Sequence, residues 1–144
     1  IDVNKLIYAH KLSECYDRKR RTKVVDVGKL NKFLIDYIYS FKNKIIKKNM
    51  NKSKKYNGIV VDSHLSHYLP RNFVDLCIIT KCNIKELSKR LKRKKFHKNK
   101  IIENLQSEIF DICHKEAMER KHNIFVIDTV KDFNIRSIVK KLRG

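Results

Sequence analysis

The sequence predicts an α/β domain, a three-layer parallel sheet with flanking helices, and three observations carry the prediction. Apolar runs at 59–61, 74–80 and 124–127 alternate with stretches whose apolar residues recur at helical spacing. That order gives parallel strands joined by right-handed crossovers. The runs are continuous, as expected of strands covered on both faces, whereas a half-solvated strand alternates apolar and polar residues. Finally, 144 residues suit one domain, 1–144, which could bury roughly 70% of the surface its unfolded chain exposes.

In chain order, Ile1-Asp2-Val3 reads as the end of a strand, and Ile1 in place of Met suggests a fragment of something longer. Residues 4–11 suit a short helix, and 13–23 a polar loop carrying Arg18-Lys19-Arg20-Arg21. Asp26 is a suitable N-cap, since its carboxylate can accept from the unpaired first amides of a helix. Val27, Leu30, Phe33 or Leu34, Tyr37 or Ile38, Phe41 and Ile45 then recur at helical spacing. Residues 42–57 hold seven lysines and no acid, which reads as a low-complexity, solvated insertion. Gly58 ends it, and the strand at 59–61 closes on Asp62-Ser63-His64. After the second strand, Asn83 caps a helix with Ile84, Leu87 and Leu91 inward. Residues 89–100 put eight Lys and Arg into twelve positions. One longer helix then points Ile101, Leu105, Ile109, Ile112 or Cys113, and Ala117 inward. The third strand ends in Asp128-Thr129, and a final amphipathic helix carries Ile135, Ile138, Val139 and Leu142.

Lys and Arg number 35 against 15 Asp and Glu, a formal net charge of +20. Such a charge points to polyanionic partners: RNA, nucleotide phosphates or an acidic protein surface. The competing reading is compositional, because 26 Lys and 12 Asn follow AT-rich codons. The three glycines, Gly28, Gly58 and Gly144, are too far apart for G-x-x-x-x-G-K-[ST] or G-x-G-x-x-G, so no glycine-rich phosphate loop lies within these residues. The 4 cysteines form no C-x-x-C pair. Cys77 and Cys113 fall in apolar patterns as small buried hydrophobes, which fits a reducing compartment. No apolar run approaches the roughly 18 residues of a membrane span, and no membrane partner is expected.

In a parallel sheet, ligands bind outside the carboxyl ends of the strands, and here those ends carry Asp62, His64, Thr80 and Asp128. An Asp closing an apolar strand is how a Walker B acid is presented, holding Mg²⁺ through its water shell beside phosphates. It is also an ordinary strand-to-turn exit. His64 and His67, three apart, have metal-ligand character but no third ligand nearby, and a phosphate-adjacent hydrogen-bond donor or a turn-packing histidine is the plainer reading. The basic block 89–100 suits a flap that neutralises a transferring phosphoryl group, or a solvated helix end. The cluster at 18–23 suits a second phosphate-bearing ligand, or RNA backbone.

Taken together, Ile59-Val60-Val61-Asp62-Ser63-His64-Leu65-Ser66-His67-Tyr68-Leu69-Pro70, Lys89-Arg90-Leu91 and Glu103-Asn104-Leu105-Gln106-Ser107-Glu108-Ile109-Phe110 resemble the adenylate kinase isoenzyme 6 family, the coilin-interacting nuclear ATPase branch of the nucleoside monophosphate kinases. The resemblance is strongest over 59–118 and absent over 42–57. It implies a P-loop NTPase fold whose first strand and P-loop precede Ile1. It implies Asp62 as the Walker B acid, holding Mg²⁺ via water, and His64 as its catalytic companion. Arg90, Arg93, Lys94 and Lys131 become candidate nucleotide contacts, with 93–103 as the lid. Asp2, Arg18 and Arg20 fall in the monophosphate-binding segment, 2–25. The lid's usual Arg-Gly-Tyr stands here as Lys94-Lys95-Phe96, a point charge in place of a planar fork.

The function this implies is transfer of the γ-phosphoryl of MgATP to a nucleoside monophosphate such as AMP, or to water. The resemblance adds a role in small ribosomal subunit maturation, with a small-subunit ribosomal protein and pre-rRNA as partners, in nucleus and cytoplasm. Without a P-loop the chain alone is expected to be inactive. The alternative is a non-catalytic basic assembly factor that binds RNA or a ribosomal protein, with an incomplete nucleotide site.

Overall fold

The computed structural model describes residues 1–18, 22–49, 58–131 and 134–143. They divide into two compact units, Ile1–Val74 and Asp75–Gly144.

In Ile1–Val74, helix α1 (Val3–Ala9) starts at Asp2, whose Oδ1 accepts from the Lys5 amide at 3.2 Å. The segment expected to be a loop instead forms an antiparallel hairpin, β1 (Cys15–Asp17) and β2 (Thr22–Val24), with Cys15 opposite Val24 and Asp17 opposite Thr22. Three-residue strands are too short to display a period of two, which is why the pattern hides them. Arg20 lies outside the described residues. Helix α2 (Val27–Asn49) begins at the predicted cap, with Asp26 Oδ1 accepting from Lys29 N at 2.7 Å. It runs eight residues into the stretch read as an insertion. Residues 29–49 contain neither Gly nor Pro, and lysine is a good helix former. Residues 50–57 lie outside the described residues. Val3, Ile7, Leu30, Leu34, Ile38 and Leu69 form the buried core, and Ile59, Val61 and Leu65 pack against it.

Residues 59–62 are extended but form a single parallel bridge, Asp2 to Asp62, rather than a strand. Helix α1 begins at Val3, so the pairing does not continue beyond Asp62.

In Asp75–Gly144, β3 (Cys77–Lys81) pairs in parallel with β4 (Ile124–Asp128), with Ile79 opposite Val126. The predicted start at Val74 is three residues early because a 3₁₀ turn, Arg71–Phe73, leads into the strand. Between them lie α3 (Ile84–Arg93), α4 (Lys98–Ile109) and α5 (Ile112–Glu119), and α6 (Ile135–Arg143) follows. The single long helix expected after residue 100 breaks at Asp111, whose backbone is left-handed (φ 55°). Along β3, buried Cys77 and Ile79 alternate with exposed Ile78 and Thr80. Continuity of the apolar run therefore marked a strand but not two covered faces. Across the described residues the architecture is α/β, with its strands in two two-stranded sheets.

Candidate functional site

Asp62 is positioned by backbone. Alternation along 59–62 turns Ile59 and Val61 toward the core and leaves Val60 and Asp62 exposed. The Ile1 amine donates to Val60 O at 2.6 Å, Asp62 N donates to Ile1 O at 2.8 Å, and Val3 N donates to Asp62 O at 3.2 Å. Two main-chain bonds thus hold Asp62 itself while its carboxylate stays in solvent. Ser63 then turns the chain, its Oγ accepting from Leu65 N at 3.0 Å and its carbonyl from Ser66 Oγ at 2.8 Å. His64 is exposed on that turn. His67 is buried and packs on the Tyr68 ring at 4.4 Å between centroids. No group of three or more His, Cys, Asp or Glu able to hold a metal directly occurs among the described residues. One exposed carboxylate at the end of an extended segment fits a different arrangement, Mg²⁺ held through water with phosphate oxygens as its other partners.

Asp2, bridged to Asp62 through the backbone, already uses its carboxylate as the α1 cap, with Lys5 Nζ 3.7 Å away. Arg18 is exposed on the turn after β1.

The candidate contacts of Asp75–Gly144 have different surroundings. Arg90 is engaged on every arm: Nε donates to Glu86 at 3.1 Å, and the two terminal nitrogens donate to Thr129 Oγ1 at 3.0 Å and Thr129 O at 2.9 Å. Thr129 in turn donates from N and Oγ1 to Lys81 O, both at 2.9 Å. Arg90 therefore brings the end of α3 to the loop that carries Lys131, whose Nζ lies 3.9 Å from Asp128. Arg93 and Lys94 are exposed at the C-terminus of α3, and α4 begins within the predicted lid.

Sequence reasoning missed the polar cluster at the end of β3. Lys81 Nζ donates to Asp111 Oδ1 at 2.6 Å and lies 3.4 Å from Glu108, and Asp111 Oδ2 contacts His114 Nδ1 at 2.9 Å. Glu108 also accepts from Cys82 N at 3.0 Å. Partial burial pulls the Lys81 ammonium down, but the bond to Asp111 and the charges of Glu108 and Asp111 outweigh it and hold it above the usual lysine value. The Lys81 bond, against slight burial, and the His114 bond hold Asp111 below the usual carboxylate value. A lysine closing an otherwise apolar strand was the available signal. Burial raises the Cys77 and Cys113 thiols, which keeps them protonated, in line with their reading as small hydrophobes. No helix among the described residues is long and apolar enough to cross a membrane.

A family model described as an AAA domain matches residues 1–111. The chain is 29% identical over 142 residues to a protein named "Putative adenylate kinase" from Methanocaldococcus jannaschii, covering 99% of this chain and 68% of that protein. It is 36% identical over 78 residues to a protein of the same name from Pyrococcus furiosus (54% and 42%). With one from Methanosarcina mazei the figure is 28% over 128 residues (88% and 63%). The chain thus spans less than two thirds of the last two. The fold class these matches carry is the α/β P-loop NTPase type.

Proposed function

This chain belongs to the AAA-domain family, and on that premise we propose that it acts in phosphoryl transfer from MgATP to a nucleoside monophosphate, AMP in the first instance, or to water. The observation that carries the reading is Asp62, an exposed carboxylate held by two main-chain bonds at the end of an apolar segment. The archaeal relatives named as adenylate kinases support it. When bound, MgATP would supply the phosphoryl group and a cation to offset its charge. Asp62 would hold that cation through water, and His64 would orient the adjoining turn. Arg93 and Lys94 supply positive charge from the end of α3, and Lys131 adds charge beside Asp128. Arg90, already bonded to Thr129, acts as a positioning residue for that loop. Asp2, Arg18 and Arg20 belong to the monophosphate-binding segment. Within the family we assign the chain to the adenylate kinase isoenzyme 6 group. That assignment brings a role in small ribosomal subunit maturation, a ribosomal protein and pre-rRNA as partners, and nuclear and cytoplasmic locations.

Asp62→Asn in the full-length protein tests the reading. It preserves shape and removes the charge that orients the metal's water shell, an interaction needed more in the transition state than in the ground state. Turnover falls on the order of 10²-fold with ATP affinity little changed, and His64→Ala loses less. Near-normal turnover in a folded Asp62→Asn protein leaves Asp62 as an ordinary turn residue and overturns the proposal.

A further inference from the structure

We propose that the outer face of α3, with the elbow that follows it, is a docking strip for single-stranded nucleic acid. The inference shares with the proposed function the expectation of an RNA partner and the elbow residue Lys94. Its test needs no nucleotide, so the two readings can fail separately.

Lys85, Lys89 and Lys92 stand at i, i+4 and i+7 of α3, and all three are exposed. At 100° per residue they share one narrow stripe, opposite the face formed by Ile84, Leu87 and Leu91. None makes an ion pair among the described residues. The acid nearest in sequence, Glu86, is turned to Arg90 at 3.1 Å. Helix electrostatics does not explain the stripe. Cations in the last turn of a helix favour its dipole, but Lys85 lies in the first turn, where a cation is disfavoured. Like charges three or four apart also destabilise a helix by a few tenths of a kcal/mol per pair. A bound polyanion removes both costs.

The stripe's geometry selects the kind of polyanion. Side chains one turn apart on a helix are about 5–6 Å from one another, so three cations in a row suit an extended chain of phosphates. Beyond the stripe's last lysine the chain carries Phe96, 44% exposed, between the basic pair Lys94-Lys95 and His97 in sequence. Cations together with an exposed aromatic are the combination on which unpaired bases stack while their backbone is neutralised. A duplex hides its base faces, and an acidic protein segment has none, so both fit the strip less well.

The experiment uses the full chain and a fluorescein-labelled twelve-nucleotide oligouridine, read by anisotropy between 0.05 and 0.4 M KCl. Replacing Lys85, Lys89 and Lys92 together by Ala removes three phosphate contacts. The salt slope then falls by about 2, and affinity falls on the order of 100-fold at 0.1 M salt. Replacing Lys32, Lys42 and Lys44 of α2 by Ala removes the same charge from another exposed surface and changes affinity by less than about threefold. Phe96→Ala weakens binding by roughly tenfold with the slope unchanged. Equal losses from the two lysine triples overturn the proposal, because net charge alone then accounts for binding. So does equal affinity for a twelve-base-pair duplex, equal competition by polyglutamate, or a Phe96→Ala protein that binds like the parent. Circular dichroism confirms that each variant keeps its helices.

Discussion

The two units hold their candidate edges by opposite means. Ile1–Val74 has an apolar core of six buried side chains, and its key carboxylate is carried out to solvent by main-chain bonds alone. Among the described residues, Asp75–Gly144 buries four apolar side chains, Cys77, Ile79, Leu91 and Ala117. It ties its strand ends with side-chain ion pairs from Lys81 to Asp111 and Glu108 and with a hydrogen bond from Arg90 to Thr129. Where packing does the structural task, a charged residue is left for a ligand. Where packing is thin, charged residues at the strand ends support the fold, and a candidate such as Arg90 arrives already engaged.

Removing core volume tests the first half of that contrast and has the largest expected effect. Leu34 is 0% exposed in the middle of α2. Leu34→Ala costs about 3 kcal/mol, from lost transfer energy plus the cavity left behind. Urea denaturation followed by hydrogen exchange in 27–44 measures it. A loss below about 1 kcal/mol means that this core is not what holds Ile1–Val74.

The second half of the contrast turns on charge and so on pH. Asp111→Asn is a clean probe, because Asn tolerates the left-handed backbone there, leaving loss of charge as the main change. The folded-state value of Asp111 is depressed, chiefly by its bond to Lys81. Its contribution is therefore present above the ordinary carboxylate value and lost as pH falls through the lower, folded one. Lys81 is raised, so its share is present below the ordinary lysine value and lost as pH rises through the folded one. The pair works fully across the window between the two ordinary values. The Asp111 side chain is 34% exposed, and solvent screening limits the cost of Asp111→Asn to about 1 kcal/mol at pH 7. The gap between variant and parent closes once the pH has fallen through the depressed, folded-state value. A gap that persists in acid rules out charge as the cause.

The same contrast decides how much was legible in the sequence. Local rules worked: Asp26 caps α2, and Asn83 caps α3 with Oδ1 accepting from Lys85 N at 2.9 Å. Ile124–Asp128 is a strand almost as read. The cluster at the end of β3 was not legible, because Lys81 meets Asp111 across thirty positions of chain and no periodicity encodes such a meeting. The break at Asp111 was missed for the same reason: the apolar spacing from 101 to 117 is helical throughout, and only the pairing with Lys81 and His114 marks the bend. Asp62 was legible as a carboxylate closing an apolar run, because both the run and the acid are local in sequence.

Helix ends supply the smallest and sharpest test, since they ask whether the units differ in local backbone cost as they do in packing. Lys11, Lys95 and Lys121 all have positive φ, 51°, 56° and 56°. Each ends its helix in the same way. After α3, Lys95 N donates to Lys92 O at 2.8 Å and Phe96 N to Leu91 O at 3.3 Å. After α5, Lys121 N donates to Met118 O at 2.8 Å and His122 N to Ala117 O at 3.1 Å. Glycine ordinarily occupies that left-handed position, but this sequence has only three and uses lysine. The cost is local, a clash between Cβ and the following carbonyl. Lys→Gly relieves it while adding entropy to the unfolded chain, for a net gain of about 0.5 kcal/mol. The gain is expected to be the same for Lys11→Gly in Ile1–Val74 and for Lys95→Gly in Asp75–Gly144. Thermal melts of the single variants and the pair measure it, with additive shifts expected for distant sites. A gain at Lys11 with a loss at Lys95 means that the elbow after α3 draws support from the lysine side chain itself. The difference between the units then reaches down to single helix caps.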